Sequence, residues 1–540
     1  MVSIIVSKKS LLERIGQRVS EEKVLDALPQ IKAGVEAIEG DELALEITGD
    51  RPDLLSVQGV ARAARGFLGV EKGLPQMKLQ KPKSSAWNVS VDKSVEKVRP
   101  VIVCALIEGV KIDEQGFKDL IQTQEKLTLT HGRRRRKVAI GVHDAAPIKF
   151  PLVYKAISKD SPISFVPLNK TQKMTVSQVM REHEKGMEYA FTLTAFSHYP
   201  VIFDSNGEII SFPPIINSAK TTVTTKTTSL FVDVTGTDFE ACNAALNIIC
   251  QDYADDGAKV YAIPTGSRVT PEITPEKMLL DSEKASKLIG LELKEKEIID
   301  CLERQRIDAK PSKGKIEALI PRYRTDFLHQ ADLVEEIAIG YGYNRFIPKA
   351  PSVFTIGRLS GETLLEEKVC STLVGAGFVE QWTYVLTSSE KHPFGEIVKI
   401  KNPVSSDYDA LRSSLRASLL ETIARNTHVP YPQKVFEVGE VVVKEDKHHL
   451  RSLTQKRVGA ISAHTHASFS EIASVMDLAL KTAGVKYALK KIEKNGFISG
   501  RCAGVWSDGK EIGVVGEIHP EVLEKLQVQV PVALFEIVLH

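Results

Sequence analysis

A stretch of about sixty residues occurs twice in this chain, and that repeat limits the possible folds more than any overall property. The second copy centres on residues 322–346, RYRTDFLHQADLVEEIAIGYGYNRF, and the first on residues 51–69, RPDLLSVQGVARAARGFLG. Arg51 aligns with Arg324, Asp53 with Asp326, Leu54-Leu55 with Phe327-Leu328, Val60-Ala61 with Leu333-Val334, and Gly69 with Gly342. Upstream, the alternating run Leu43, Leu45, Ile47 matches Ile316, Ala318, Ile320. Further upstream, Ile15-Gly16 and Val24-Leu25-Asp26 match Ile289-Gly290 and Ile298-Ile299-Asp300 with a one-residue shift. Alternation predicts a half-buried strand, and apolar residues at 327, 331, 334, 338 and 341 predict one stripe of a helix behind it. Pro321 ends the strand, and Thr325 or Asp326 is placed to cap the helix through a side-chain oxygen. Gly340 and Gly342 suit the helix end.

The copies differ in charge. Asp332, Glu335 and Glu336 lie at i, i+3 and i+4, away from the apolar stripe, with Asp326 at the cap. The first copy has Gly59, Arg62 and Ala63 at the three helical positions. A solvated face is the ordinary meaning of an acidic cluster on a helix. Yet the shared pattern carries the fold, so the fold does not require the acids. They are then available for a hard cation such as Mg²⁺, which takes oxygen ligands and keeps several waters.

A chain of 540 residues is long enough for several domains. The pattern predicts a first copy over 1–75, a central domain over 90–268, the second copy over 270–347 and a last domain over 352–540. Residues 71–95, rich in Lys, Pro and Ser, read as a linker, and Pro348-Lys349-Ala350-Pro351 as another. A net charge of +2 excludes a global basic field, so any nucleic-acid contact must be local. Six cysteines without CxxC pairing suit a reducing compartment. With no signal peptide and no apolar run of membrane-spanning length, the expectation is a cytoplasmic chain with no membrane partner.

In the central domain a strand is predicted over 101–110 and a helix over 114–126. Then come His131-Gly-Arg-Arg-Arg-Arg-Lys137 and a strand over 138–142. The basic run Arg133 to Lys137 can hold phosphates, or it is a solvated loop or a salt-bridge donor to another subunit. Further on, 209–212 and 230–234 read as strands, with Pro213-Pro214 and a Thr/Lys-rich stretch between them and a helix over 239–252. Asp233 interrupts the apolar strand, which is costly unless its carboxylate is hydrogen-bonded. Either it ties down its own turn, or it builds a small polar pocket with Asn217 and Thr235. No Cys/His or Ser/His pair stands out here, so no covalent nucleophile is expected. Beyond 352, helices over 364–377, 411–426 and 471–484 alternate with strands over 381–386, 398–400 and 435–443. That pattern predicts an α+β layer, an antiparallel sheet with helices on one face.

These blocks resemble the β subunits of phenylalanyl-tRNA synthetase of the archaeal/eukaryotic type. The resemblance rests on DRPDLLSVQGVAR, QEKLTLTHGRRRRKVAIGVHD, SFPPIINSAKTTVTTKTTSLFVDVTGTD, YRTDFLHQADLVEEIAIGYGYNRF and LRSSLRASLLE with FEVGEVV, in family order over most of the chain. It implies a multidomain α+β protein: a duplicated winged-helix-like module, a central α+β editing domain, and a class II synthetase-like C-terminal domain without catalytic residues. It implies a heterotetramer of two α and two β chains. In that complex the α subunit uses ATP to activate phenylalanine and charge tRNA(Phe). The residues agree with a lost synthetic site, since Phe436-Glu437-Val438-Gly439 has no Arg before its Glu, and Gly513 and Gly516 are followed by Glu517 rather than Arg. The resemblance further implies a structural Mg²⁺ on Asp326, Asp332, Glu335 and Glu336. It also implies a central pocket with Asn217, Asp233 and Thr235 that hydrolyses mischarged tyrosyl-tRNA(Phe). The competing reading is a non-enzymatic scaffold whose repeated modules bind nucleic acid or protein.

Overall fold

The computed structural model describes residues 2–16, 19–390, 392 and 394–539. They form two compact units, Met1–Lys349 and Ala350–His540.

The repeat is real at the level of topology. Val2–Ser7, Lys8–Ile15, Glu21–Gln30, Ala33–Glu39, Glu42–Ile47 and Val57–Phe67 run strand, helix, helix, strand, strand, helix. Glu276–Leu280, Ser282–Ile289, Glu295–Arg304, Asp308–Ser312, Lys315–Ile320 and Gln330–Tyr341 repeat that order. In both copies the third strand is the middle one of a three-stranded antiparallel sheet. The alternating residues Leu43, Leu45, Ile47 and Ile316, Ala318, Ile320 are all buried on the helix side.

The last helix of the second copy starts at Gln330 with His329 as its cap, not after Thr325 or Asp326. Arg324 explains the delay. Its guanidinium is buried and donates from Nε and Nη2 to both Asp326 oxygens, at 2.9 and 2.7 Å, which turns Asp326 to Arg324 rather than to the helix start. Asp332 reaches back instead and accepts from the backbone N–H groups of Leu328 and His329 at 2.7 and 2.8 Å. This is the reciprocal arrangement of a capping box. The stretch 71–95 is also more than a linker. Gly73 N–H donates to Glu303 O and Leu74 N–H to Asp308 Oδ1, strapping the first copy to the second. Val89–Val91 then enters the central sheet.

That sheet has ten strands, nine of them in one path and the tenth, Arg268–Thr270, paired beside Lys259–Thr265. Its path begins at Ile216–Asn217 and passes through Ile209–Phe212, His198–Phe203, Leu152–Ser158, Val89–Val91, Lys259–Thr265, Val101–Glu108 and Ser229–Gly236 to Val138–Asp144. The two end strands come together: Asn217 Nδ2 donates to Val142 O at 3.2 Å. The sheet is therefore curled almost shut, with a seam between its first and last strands. Alternate residues of Ser229–Gly236 serve two environments, as the pleat requires. Leu230, Val232 and Val234 pack outward with residues of helices Glu114–Leu129 and Phe239–Asp255. Phe231, Asp233 and Thr235 point to the other face.

The first copy docks through the position where the second copy has Glu335. Arg62 is buried, pairs with Asp252 and Asp255 of helix Phe239–Asp255 at 3.1 and 2.5 Å, and lies over the Tyr323 ring of the second copy.

The second unit is built on a seven-stranded sheet. Its strands are, in order, Val379–Glu380, Gln433–Lys444, Ser452–Ala463, Val532–Val538, Lys510–Ile518, Phe497–Ser507 and Ala488–Lys491. All neighbours are antiparallel except the first pair. Helices cover both faces, not one. Val458, Ala460, Phe535 and Ile537 pack with helices Gly361–Gly375 and Phe469–Thr482. Ile461, Ala463, Val532 and Leu534, of opposite parity, pack with Arg416–Arg425. That helix begins later than the pattern from 411 predicts. The preceding residues dive into the sheet, where Arg412 Nη2 meets Glu437 at 2.7 Å and Ser414 Oγ donates to Glu536 at 2.7 Å. The strand over 381–386 shrinks to Leu386–Thr387.

Candidate functional site

A cavity of about 320 Å³ opens at the seam of the central sheet. Its walls include Gly141 of one end strand, Ser211 and Asn217 near the other end, the Pro213-Pro214 turn, and Asp233. Its volume lies at the small end of the roughly 300–1,000 Å³ range of small-molecule sites.

Asp233 is 1 % exposed. It does not tie down its own turn. Its Oδ2 bonds His143 Nε2 at 2.8 Å, and His143 Nδ1 meets Thr221 Oγ1 at 2.7 Å. His143 and Thr221 are also fully buried. An ionised carboxylate only accepts, so in this pair Nε2 carries the proton and donates. Among the described residues no hydrogen bond reaches Asp233 Oδ1, which leaves that oxygen for a ligand. The register explains the fit. Asp233 stands opposite Gly141, where an added Cβ would lie 2.1 Å from Asp233 Oδ2. Glycine inside a strand marks such a close approach.

Asn217 is held at the seam by its donation to Val142 O and by Ser211 Oγ, which donates to its Oδ1 at 3.1 Å. An amide has two N–H donors and two acceptor positions, so one of each remains. Thr235 lies outside the cavity wall. It is fully buried, and its Oγ1 accepts from Arg99 Nε at 2.9 Å. The structure thus brings Asn217 and Asp233 together at the cavity and places Thr235 behind it.

His143, Ser211, Thr221 and Arg99 escaped the reading of the sequence. His143 sits two residues after Gly141, a period-two signal that it shares a face with the glycine. That it meets Asp233 depends on the pairing of Val138–Asp144 with Ser229–Gly236, which the sequence does not display. Substituting His143 by Asn should strand Asp233 Oδ2 in the protein interior, a loss of about 1–3 kcal/mol. His143→Gln, whose amide N–H can stand where Nε2–H does, should retain more of the wild-type behaviour. The comparison is read from the pocket's activity in both variants, with unfolding midpoints as the control.

The four carboxylates of the second copy are not gathered into one ligand shell. Asp326 is clamped by Arg324, Glu336 Oε1 also meets Arg324 at 2.9 Å, Glu335 pairs with Lys32 of the first copy at 3.2 Å, and Asp332 caps its helix. Among the described residues no group of three or more His, Cys, Asp or Glu is placed to hold a metal ion. The centre of the cluster is a guanidinium. Arg51 and Asp53 form the matching bidentate pair in the first copy, at 2.8 Å for both bonds. The two pairs feel each other. Burial and Arg324 oppose the charge on Arg51, while Asp53 and Glu336 favour it and prevail.

Burial alone would raise the Asp326 carboxyl, but Arg324 holds it down to about 2. A carboxylate with a depressed folded pKa stabilises above its unfolded value of about 3.9, and that stability is lost as pH falls towards the folded value. Thermal midpoints of wild type and Asp326→Asn should therefore differ at pH 6 and converge between about pH 4 and pH 2. A constant difference across that window would deny the ion pair its role.

Comparison with known proteins fits this architecture. The tRNA synthetase B5 domain matches residues 278–343, and the phenylalanyl tRNA synthetase beta chain CLM domain matches residues 347–539. The phenylalanine–tRNA ligase beta subunit of Archaeoglobus fulgidus is 39% identical over 527 residues, covering 95% of this chain and 94% of that protein. That of Pyrococcus abyssi is 37% identical over 551 residues, covering 99% and 98%. The crystal structure of an N-terminal fragment of the phenylalanyl-tRNA synthetase beta subunit from Pyrococcus horikoshii superposes with a TM-score of 0.60 at 37% identity. It covers 63% of this chain and all of the fragment. Fold and matches define a component of an aminoacyl-tRNA synthetase. More narrowly, the chain belongs to the family of phenylalanine–tRNA ligase beta subunits. No helix among the described residues is long and apolar enough to cross a membrane.

Proposed function

We infer that this chain serves a phenylalanine–tRNA ligase as its non-synthetic subunit, and that the seam cavity hydrolyses tyrosine wrongly esterified to tRNA(Phe). The ATP-dependent steps belong to the α partner of a complex with two copies of each chain. In the C-terminal sheet of this chain, Glu437 is already taken by Arg412 and by Thr383 Oγ1, which donates at 2.6 Å. The ligase needs a second site for a physical reason. A hydrophobic pocket discriminates against an added hydroxyl by only about 10²-fold. A site that hydrogen-bonds the hydroxyl can reject the analogue lacking it by about 10⁴-fold or more, because its polar groups are otherwise left unpaired.

One observation carries this reading: a buried carboxylate with a free oxygen and a pinned amide with spare hydrogen-bonding capacity share one small cavity. Asp233 Oδ1 accepts from the α-ammonium of the aminoacyl group. The Asn217 amide, steadied by Ser211, takes the phenolic hydroxyl. His143 holds the carboxylate from behind. Water adds to the ester carbonyl, the bond to the terminal ribose oxygen breaks, and tyrosine and free tRNA leave. The test is hydrolysis of tyrosyl-tRNA(Phe) and phenylalanyl-tRNA(Phe) by the chain copurified with its α partner. Selective loss of the tyrosyl ester is expected. Equal stability of both esters, with normal phenylalanine charging by the complex, would rule the cavity out as an editing site.

A further inference from the structure

The basic run after helix Glu114–Leu129 has an unusual backbone. Arg133, Arg134 and Arg135 take φ of 49°, 54° and 65°, three successive left-handed residues. L residues adopt that conformation only at a cost, so the fold must hold it. Arg134 N–H donates to Leu129 O and Arg135 N–H to Thr128 O, at 3.0 and 3.1 Å. Arg99 Nη1 grips Arg135 O at 3.1 Å from the buried side.

The turn divides the arginines between two tasks. Arg135 points inward, where its Nη1 donates to Pro214 O and Ile215 O at 2.9 and 2.7 Å and its guanidinium lies 3.9 Å from the centre of the Tyr189 ring. It fixes the Pro-Pro wall of the cavity. Arg134 and Arg136 point outward and flank one exposed aromatic, with their guanidiniums 5.4 and 4.8 Å from the centre of the Phe191 ring. Both are exposed, and among the described residues neither makes an ion pair. Lys170 and Lys185 line the cavity together with Glu125 and Glu184, and Lys185 pairs with Glu188 at 2.9 Å, so the unpaired charge around Phe191 lies on the two arginines.

We propose that Arg134, Arg136 and Phe191 form a cradle for the single-stranded 3′ end of an RNA, so that the aminoacyl ester is delivered into the cavity behind it. The proposal rests on the editing reading for its substrate, but the surface supports it independently. Guanidiniums bind phosphodiesters, and a base stacks on a guanidinium plane as it does on an aromatic ring, so Arg134 and Arg136 resting on Phe191 offer both contacts. The arrangement abuts the one cavity wall that Arg135 holds. An acidic protein partner would match the charge as well, and the salt slope together with retention of the α partner separates the two.

The test uses the complex with the α partner and a fluorescein-labelled single-stranded RNA ending in CCA, with anisotropy read over a range of salt. Each phosphate contact contributes about −0.7 to the slope of log K against log salt for single strands. Arg134→Ala with Arg136→Ala should therefore flatten the slope by about 1.4, while the double lysine variant keeps it. Phe191→Ala should weaken binding about 5- to 150-fold with the slope unchanged. Unchanged affinity and slope in the alanine variants would overturn the proposal. So would loss of the α partner from the double alanine variant, which would assign these arginines to a subunit interface. Hydrolysis separates the two claims. With the cradle removed, KM for tyrosyl-tRNA should rise at least about tenfold while 3′-tyrosyl-adenosine, which has no phosphate, is cleaved with little change. If the wild-type complex binds the RNA but cleaves neither ester, the editing reading fails and the cradle stands.

Discussion

Replacing Asp233 by Asn should lower kcat/KM for hydrolysis of tyrosyl-tRNA(Phe) by at least about 10²-fold, while phenylalanine charging by the complex is unchanged. The carboxylate is buried, so its attraction for an ammonium group is little screened. Removing one partner of such a pair costs about 2–5 kcal/mol, and each 1.4 kcal/mol is tenfold. Asn is the informative substitution because its carbonyl oxygen can still accept from His143 Nε2. Ala would leave that donor buried without a partner and confuse a lost contact with a damaged fold. Deacylation is measured with unfolding midpoints beside it. Wild-type hydrolysis by a folded Asp233→Asn complex would remove the carboxylate from the mechanism.

Glu336→Ala should destabilise the first unit by about 1.5–3 kcal/mol. Arg324 and Glu336 are both 1 % exposed at the side chain, and with Asp326 still paired to Arg324 the loss is that of one buried hydrogen bond between charged groups. Glu335→Ala is the control. That carboxylate is half exposed in its pair with Lys32, and such pairs contribute about 0–1 kcal/mol. The penalty at Glu336 should be the same with Mg²⁺ and with a chelator. A penalty seen only with Mg²⁺ present would mean that the carboxylate serves a cation rather than Arg324. The first copy has Ala63 at the equivalent place, so the module itself folds without the acid. What the acid supports is Arg324 of its own copy, and its charge also favours that of Arg51 in the first copy.

The repeat was legible because its signals are local. Alternation along Leu43, Leu45 and Ile47, and again along Ile316, Ala318 and Ile320, needs no partner to be recognised. The helix start was not, because Asp326 looks like a cap until Arg324 is seen to occupy both its oxygens. The same holds in the second unit, where a helical pattern from 411 hides the turn of Arg412 and Ser414 into the sheet. At the cavity, Asn217 and Asp233 were marked by polarity in apolar surroundings, and both line it. Thr235 carried the same mark, yet the long side chain of Arg99, distant in sequence, covers it. His143 was invisible for a related reason. A histidine in a strand acquires meaning only from the residue on the neighbouring strand, and strand neighbours are set by the whole sheet.

Position 141 gives the cavity a particular place in the history of the protein. The carboxylate of Asp233 occupies the volume that a side chain on the facing strand would fill. Any single base change in the first two positions of a glycine codon that still specifies an amino acid puts a carbon there. If the cavity proofreads, the fidelity with which this cell reads its phenylalanine codons depends on a residue that contributes no functional group. Selection there would act on empty space, and an inventory of polar side chains would never identify the residue.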